Sequence, residues 1–526
     1  TMLYTATARY DWSNDKHAVG ALVGTSYEHY KYERLAGSRE EFPSDALTDM
    51  EAGSTSGAGY TNGAGSSEYK MLSYFARVNY TLMDRYLFEV NMRADASSRF
   101  HKDHRWGYFP SFSAGWRMSE ESFMKDIEWI NNLKIRASYG TLGNINNVGN
   151  YDYFQNYSSG NHYNFSDSPV IGIGESKPAN ETLGWEKVAL TDIGLDFDIF
   201  NGLLGVTADY YIKNTSDILL GYNVPTETGI TAAPSQNIGK VKNTGFELAL
   251  NHRNKIGAVN YSIGANIATN KNKITNLGGS DNIIQTSSYI VKYILKKGES
   301  IGSFYGFKTD GLYTQADIDA GHYYTLSGVV PNAGDIKFVP QRDIEYKQEI
   351  TDEDRTILGK DVPDFTYGVN LSLQYKGFEF SMFGQGISGT KVAFDVYGVH
   401  PFYHGQDSPR KYHLKRWTEE NPNPHAAYPR IYSASSVHTT YNRNFSDYHL
   451  FDSDYFRFKT LSLGYTVPSA TVKNWGLQSL KVYVTGENLF TVRADKKMED
   501  FDPETAGGVI YTLGTKSVAF GVNISF

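Results

Sequence analysis

The chain of 526 residues contains no cysteine. That excludes a disulfide framework and any metal site built on thiolates. No stretch approaches the roughly 18 consecutive apolar residues of a membrane helix, so a helical membrane span is excluded as well. Positive charge is in deficit, with Lys+Arg 50 against Asp+Glu 58, a net charge of -8 and a pI near 5.9. A nucleic-acid partner needs a basic face to meet phosphates, and none is on offer. Phosphate-loop and HExxH sequences are missing, and with them common nucleotide and zinc-hydrolase chemistries. The sequence opens at Thr1 in strand-like residues without a signal peptide, so a chain crossing a membrane as strands would carry its targeting segment elsewhere.

Aromatic residues, by contrast, are abundant. They make up 14%, with Tyr 40 and Phe 29, in a chain whose mean hydropathy is -0.45. Tyrosine suits both membrane-water interfaces and the walls of sugar or peptide sites. The last stretch, KSVAFGVNISF from Lys516, shows how the rings are used: Val518, Phe520, Val522, Ile524 and Phe526 share one face at period 2, and Ala519, Gly521, Asn523 and Ser525 share the other. Periodicity alone leaves open whether the apolar face meets a core or lipid.

Other segments repeat the pattern. Tyr86, Phe88, Val90, Met92 and Ala94 alternate with Glu89, Asn91, Arg93 and Asp95. Leu133, Ile135, Ala137 and Tyr139 alternate with Lys134, Arg136 and Ser138, Ile193, Leu195, Phe197 and Ile199 with Asp192, Asp196 and Asp198, and Val206, Ala208, Tyr210 and Ile212 with Thr207, Asp209 and Lys213. Charges almost never enter the apolar register. A lysine or arginine turned to lipid near the midplane costs about 2 to 4 kcal/mol, which explains the exclusion, although a soluble β-sandwich excludes charge from its core too. On the lipid reading Glu89, Arg93, Asp95, Arg136, Asp196 and Asp209 face the lumen.

The connections alternate between short and long. Ser13 to Lys16, Met83 to Arg85, Asn201-Gly202, Lys255 to Gly257 and Lys376-Gly377 read as tight turns, Asn-Gly being the type I′ hairpin dipeptide. Roughly Glu33 to Ser67, Thr141 to Gly184, Ser216 to Lys242, Asn272 to Val362, Ile387 to Asp454 and Ala494 to Gly508 read as long loops rich in Gly, Ser, Asn and Tyr. Tight turns on one rim and long loops on the other describe an antiparallel transmembrane β-barrel of the outer-membrane kind. The reading gives an all-β chain of about fifteen strands. An odd number of alternating strands cannot close on itself as an antiparallel pair, so residues 1–526 are expected to form one C-terminal part of a larger barrel.

Nearly the whole sequence resembles the C-terminal barrel portion of the SusC/RagA family of TonB-dependent outer-membrane transporters. The resemblance rests on RVNYTLMDRYLFEVNMRADASSRF from Arg77, WGYFPSFSAGWRMSEESF from Trp106, LKIRASYGTLGN from Leu133, KNTGFELAL from Lys242 and GESIGSFYGFKTDGLY from Gly298, and continues in PDFTYGVNLSLQYKGFEFSMFGQG from Pro363, RWTEENP from Arg416, DYFRFKTLSLGYTVP from Asp454 and VYVTGENLFT from Val482. It implies a barrel of roughly 22 strands filled by an N-terminal plug, energised by the TonB complex and capped by a SusD-like surface lipoprotein, importing oligosaccharides or peptides. Plug and TonB box are not among these residues, so the remaining barrel strands and the plug join outer-membrane lipid among the expected partners. No cofactor is expected.

One departure from the family is informative. An acidic, calcium-loop-like run found in many members reads GDIKFVPQRDIEYKQEITDEDRTILG here from Gly334. Gln341, Arg342, Ile344 and Tyr346 replace the alternating carboxylates and central glycine such a loop needs, so no calcium is expected at Asp335, Asp352 and Asp354. The pairs His101/His104 and His400/His404 lie in irregular loops and read as loop histidines, not ligands. Asp192, Asp196 and Asp198 stack along one strand face, unlike the opposed carboxylates of a glycosidase, and GIGES at Gly172 reads as a turn. The better site candidates are aromatic residues of the long loops: Tyr151 and Tyr153 in one, Tyr289 in another, Tyr397, Tyr403 and Trp417 in a third. Such rings stack on sugars or grip peptide backbones. An importer without catalytic chemistry is the expectation. A passive porin-like pore and a secreted all-β protein that binds or hydrolyses carbohydrate are the alternatives.

Overall fold

A computed structural model describes residues 1–55, 61–165, 168–221, 235–286, 290–393, 400–402, 408–497, 501–504 and 514–526. Among the described residues, fifteen strands succeed one another in chain order in a single sheet, with one short strand, Lys271–Leu277, joined beside the path. The two registers have opposite fates. Phe88 is 47% exposed, Val90 45% and Phe520 83%, whereas Ser73 and Asp95 are buried. A water-soluble sandwich would hide its oily face, and this chain displays it along strand after strand. The apolar register is therefore a lipid face, not a core.

The chain packs as two compact units. The first comprises Thr1–Arg117, Arg136–Thr191 and Asn214–Lys240. It opens with the antiparallel ladder of β1 (Met2–Ser13), β2 (His17–Ser38), β3 (Thr61–Leu82), β4 (Tyr86–Ser97) and β5 (Trp106–Arg117). Asn14 closes the first turn by accepting from the backbone of Lys16 and His17. Met83 and Asp84 close the third with φ of 53° and 55°, the left-handed pair that matches strand twist. β2 and β3 stay in register without a slip from His17↔Leu82 to Ser38↔Thr61. At about 3.3 Å per residue their 22 residues span about 70 Å, far more than an apolar band about 25 Å tall requires. Both ends of what reads as a loop from Glu33 to Ser67, residues 33–38 and 61–67, are thus paired backbone, and the rings of Tyr30 and Tyr69 stack just below them.

The second unit comprises Met118–Ile135, Asp192–Lys213 and Val241–Phe526. Its ladder runs from Val259–Thr269 through Phe365–Tyr375, Phe378–Ser388, Tyr455–Thr466 and Ser479–Arg493 to Ser517–Ser525. The sequence FRFKTLSL contains a slip of parity: Phe456 and Phe458 fall on even positions, Leu461 and Leu463 on odd ones. The structure absorbs it with a bulge, because Gly384 pairs Phe458 while Phe383 pairs Thr460, leaving Lys459 as the extra residue. All four apolar side chains then keep the same face.

The long segments 272–362 and 390–454 are not loops in the ordinary sense. Short strands, such as Lys308–Leu312 against Ile336–Val339, and a helix, Gln315–Asp319, capped by Thr314, enclose apolar cores. One holds Phe307, Leu312, Leu326, Ile336, Phe338, Ile350, Trp417 and Tyr441, and a second Val291, Phe304, Ala393, Phe445 and Leu450. Burying each such side chain stabilises by about 1.5 to 3 kcal/mol. Among the described residues, these apolar cores of the unit lie in the connecting segments, while its strands carry an exposed oily face.

Candidate binding surfaces

In the first unit the polar face is knit by short-range pairs. On β4, Arg93 donates to both oxygens of Asp95 at 2.9 and 2.8 Å and to Ser73 Oγ at 3.0 Å, with the Phe75 ring beneath its guanidinium. Asn91 donates to Glu89 Oε1 at 2.7 Å. Glu89, Arg93 and Asp95 together line a cavity of about 500 Å³ with Ser111, Ser113 and Ser138. Phe109 forms part of its wall, held in a cluster with Phe100, Val148, Tyr153, Leu183 and Trp185. Glycine is required at Gly143, where a Cβ would run into the Phe109 ring. Arg136 stands half-buried in the same unit.

In the second unit Asp196 faces Lys134 at 3.9 Å, and Asp209 is half-buried. A polar cavity of about 780 Å³ opens where strand ends meet the folded segments, lined by Asn270, Lys271, Glu299, Lys360, Asp364 and Asp454 among others. Lys360 pairs with Asp364 at 2.5 Å, and Ser388 donates to Asp454 at 2.6 Å. Asn270 Oδ1 is buried with no hydrogen-bond donor among the described residues.

The aromatic candidates separate. Tyr151 is half exposed, and its hydroxyl accepts from the Glu68 amide at 3.3 Å. Tyr153 is buried against Phe154 and His101. Trp417 is buried in the larger core of the folded segments, with Arg430 over its ring at 5.4 Å. Tyr289, Tyr397 and Tyr403 lie outside the described residues, as does His404. His400 is buried against His449, ring centroids 5.3 Å apart, with Tyr428 Oη 3.2 Å from Nδ1. Burial pushes the His449 imidazole down to about 4 and holds that of His400 well below its ordinary value too.

The acidic run is tied up internally. Asp354 is fully buried and accepts from Arg342 Nε and Nη2 at 3.1 and 2.7 Å and from the amides of Gln341, Arg342 and Thr351. Burial opposes its charge, but these donors outweigh it and hold the carboxyl at about 2. Asp335 is likewise buried, taking Asn442 at 2.8 Å and His438 at 2.8 Å. A guanidinium thus sits against Asp354, the role a cation would take in an acidic loop.

Sequence reasoning missed one cluster. Arg457 is buried and binds Asp502 at 2.6 Å and Glu504 at 2.9 Å, while Lys459 reaches the same Glu504 oxygen at 2.6 Å. The signal was present in FRFK, where two cations alternate with two outward phenylalanines.

The protein-family description that fits the chain is "TonB dependent receptor-like, beta-barrel", matching residues 2–489. TonB-dependent receptor P3 of Formosa agariphila is 31% identical over 492 residues, covering 92% of this chain and 47% of that protein. TonB-dependent receptor SusC of Bacteroides thetaiotaomicron is 29% identical over 467 residues, 86% of this chain and 43% of that protein. Among solved structures, the RagAB peptide transporter superposes with a TM-score of 0.81 at 26% identity, covering all of this chain and 55% of that one. The chain spans about half the length of the relatives it matches.

Proposed function

Because the chain belongs to the TonB-dependent receptor β-barrel family, a family of outer-membrane transporters and not of enzymes, we propose that it builds wall and outer mouth of an importer of nutrient oligomers. The cargo is an oligosaccharide or an oligopeptide, the lid a SusD-like surface lipoprotein, and the drive TonB acting on a plug that fills the barrel. The observation that carries this reading is the two-faced wall: exposed rings such as Phe88 and Phe520 on one side, and the Arg93–Asp95 ion pair and Glu89 lining a cavity on the other. Folded segments at the strand ends supply a mouth with its own cores, a rigid scaffold for recognition.

Uptake of fluorescent glycan and peptide pools by cells with and without the gene tests it. Import should collapse when the proton-motive force is dissipated and when the neighbouring lipoprotein is deleted, and the pool taken up identifies the cargo. Uptake that persists without the gradient would make the protein a passive pore.

A further inference from the structure

The segment Phe501–Glu504 lies against the polar face of the strands Tyr455–Thr466 and Ser479–Arg493, and its contacts are those of a bound ligand. Phe501 is buried against Phe451, ring centroids 5.5 Å apart, beneath the Arg410 guanidinium. Asp502 takes Arg457 Nη2 at 2.6 Å and Nη1 at 3.3 Å. Glu504 takes Arg457 at 2.9 Å and Lys459 at 2.6 Å on one oxygen, and Tyr455 Oη at 3.0 Å and Gln385 Nε2 at 3.3 Å on the other. Arg457 is fixed from behind by Thr491.

Two features say that this basic surface exceeds what a structural clamp needs. First, the bulge that the wall carries at this level, matched by the slip opposite Glu487–Phe490 in the next strand, sets Lys459 on Glu504 as a second cation. Second, among the described residues a third cation adjoins the two carboxylates. Arg493 stands across the ladder from Tyr455, and both its Nε and that of Arg410 are buried without an acceptor among the described residues. Buried guanidinium donors left without acceptors are unfavourable, and a further anion would satisfy them.

We propose that Arg457 and Lys459, with Arg493 beside them, form a carboxylate-binding station that the chain's own Asp502 and Glu504 occupy at rest and that a carboxylate-bearing oligomer claims by displacing that strap. The identification of the ligand as cargo rests on the import reading; the existence of the station does not. Asp502–Glu504 acts as a tethered competitor, so an uncharged oligomer gains nothing by entering, while an acidic one exchanges one set of ion pairs for another. The station then selects for carboxylate without holding it irreversibly.

The test measures equilibrium binding to the purified protein in detergent, independent of energised uptake. Probes are trigalacturonate and triglutamate, with trigalacturonate methyl ester and triglutamine as neutral counterparts. D502N/E504Q, which keeps the shape of the strap and removes its charge, should bind at least one acidic probe about tenfold more tightly than the natural chain. It should leave both neutral probes unchanged. K459M in that background should reverse the gain, and hydrogen exchange over 501–504 in the natural chain should rise on adding the acidic probe. A response to the sugar acid alone, the peptide alone or both supports the station and says which source it reads. If D502N/E504Q binds neither acidic probe more tightly, or binds acidic and neutral probes equally better, the strap is only a structural clamp and the proposal fails. Loss of binding with import intact would condemn the station alone, whereas gradient-independent uptake with binding intact would condemn the import reading alone.

Discussion

Val90 and Asn91 are neighbours at one depth in β4 but belong to opposite faces, which makes them a sharp test of what the wall is for. Val90 is 45% exposed and paired across the ladder with Val78 and Phe112. If that face meets hydrocarbon, Val90→Arg places a guanidinium in lipid and destabilises by about 2 to 4 kcal/mol, a shift of roughly 30- to 1,000-fold in the folding equilibrium. Asn91→Arg removes one hydrogen bond to Glu89 and replaces it with an ion pair, so its effect stays within about 1 kcal/mol. Reversible unfolding from lipid vesicles in urea, read by tryptophan fluorescence, gives both values on one scale. Were the exposed face simply a wet surface, Val90→Arg would change stability by only about 0.5 kcal/mol. Equal, small effects from both substitutions would refute the assignment of the faces.

The folded segments offer further tests. Arg342→Ala leaves Asp354 buried without its guanidinium, and should loosen residues 308–360 by about 1.5 to 3 kcal/mol, seen as faster hydrogen exchange there and not in the strands. The Asp354 carboxyl is depressed to about 2 from an ordinary 3.8; its contribution is therefore complete above pH 4 and disappears as pH falls toward 2, and Asp354→Asn should flatten that dependence. His449 works at higher pH: buried neutral against His400, with Ser446 and Lys497 beside it, its imidazole titrates near 4 when folded against about 6.5 when not. Stability of segment 437–454 should hold above pH 6.5 and decline between 6.5 and 4, with proteolysis of that segment as the readout; His449→Phe should weaken the dependence, His400 supplying the remainder. Gly143→Val should destabilise by about 1 to 3 kcal/mol through collision with Phe109, and Phe109→Ala should relieve much of that loss in the double variant.

How far the sequence could be read follows from which forces leave a period. Alternation along β4 and Lys516–Phe526 is imposed by two immiscible surroundings, so both faces were legible residue by residue, and turns such as Met83–Asp84 announced themselves by their length. The reach of β2 and β3 was not, because beyond the apolar band residues such as Gly63, Ala64 and Ser66 are paired by backbone alone, which asks nothing of side chains. Segments 272–362 and 390–454 hid their cores for a related reason: Phe307, Ile336, Phe338 and Trp417 come together from irregular spacing over more than a hundred residues, and no local pattern records it. The same limit applies to the aromatic candidates. Tyr153 and Trp417 carry the chemistry of a sugar- or peptide-stacking ring, but a ring chosen by type alone gives no sign of whether it is open to a ligand or packed among neighbours.

Housing the apolar cores of the second unit in the connecting segments separates two kinds of fitness within one polypeptide. Insertion into the bilayer answers to the staves, whose oily side admits little change of character. The shape of the orifice answers to small domains strung between them, each held together from within. Selection can therefore redraw these segments whole while the part that must enter the membrane stays as it was.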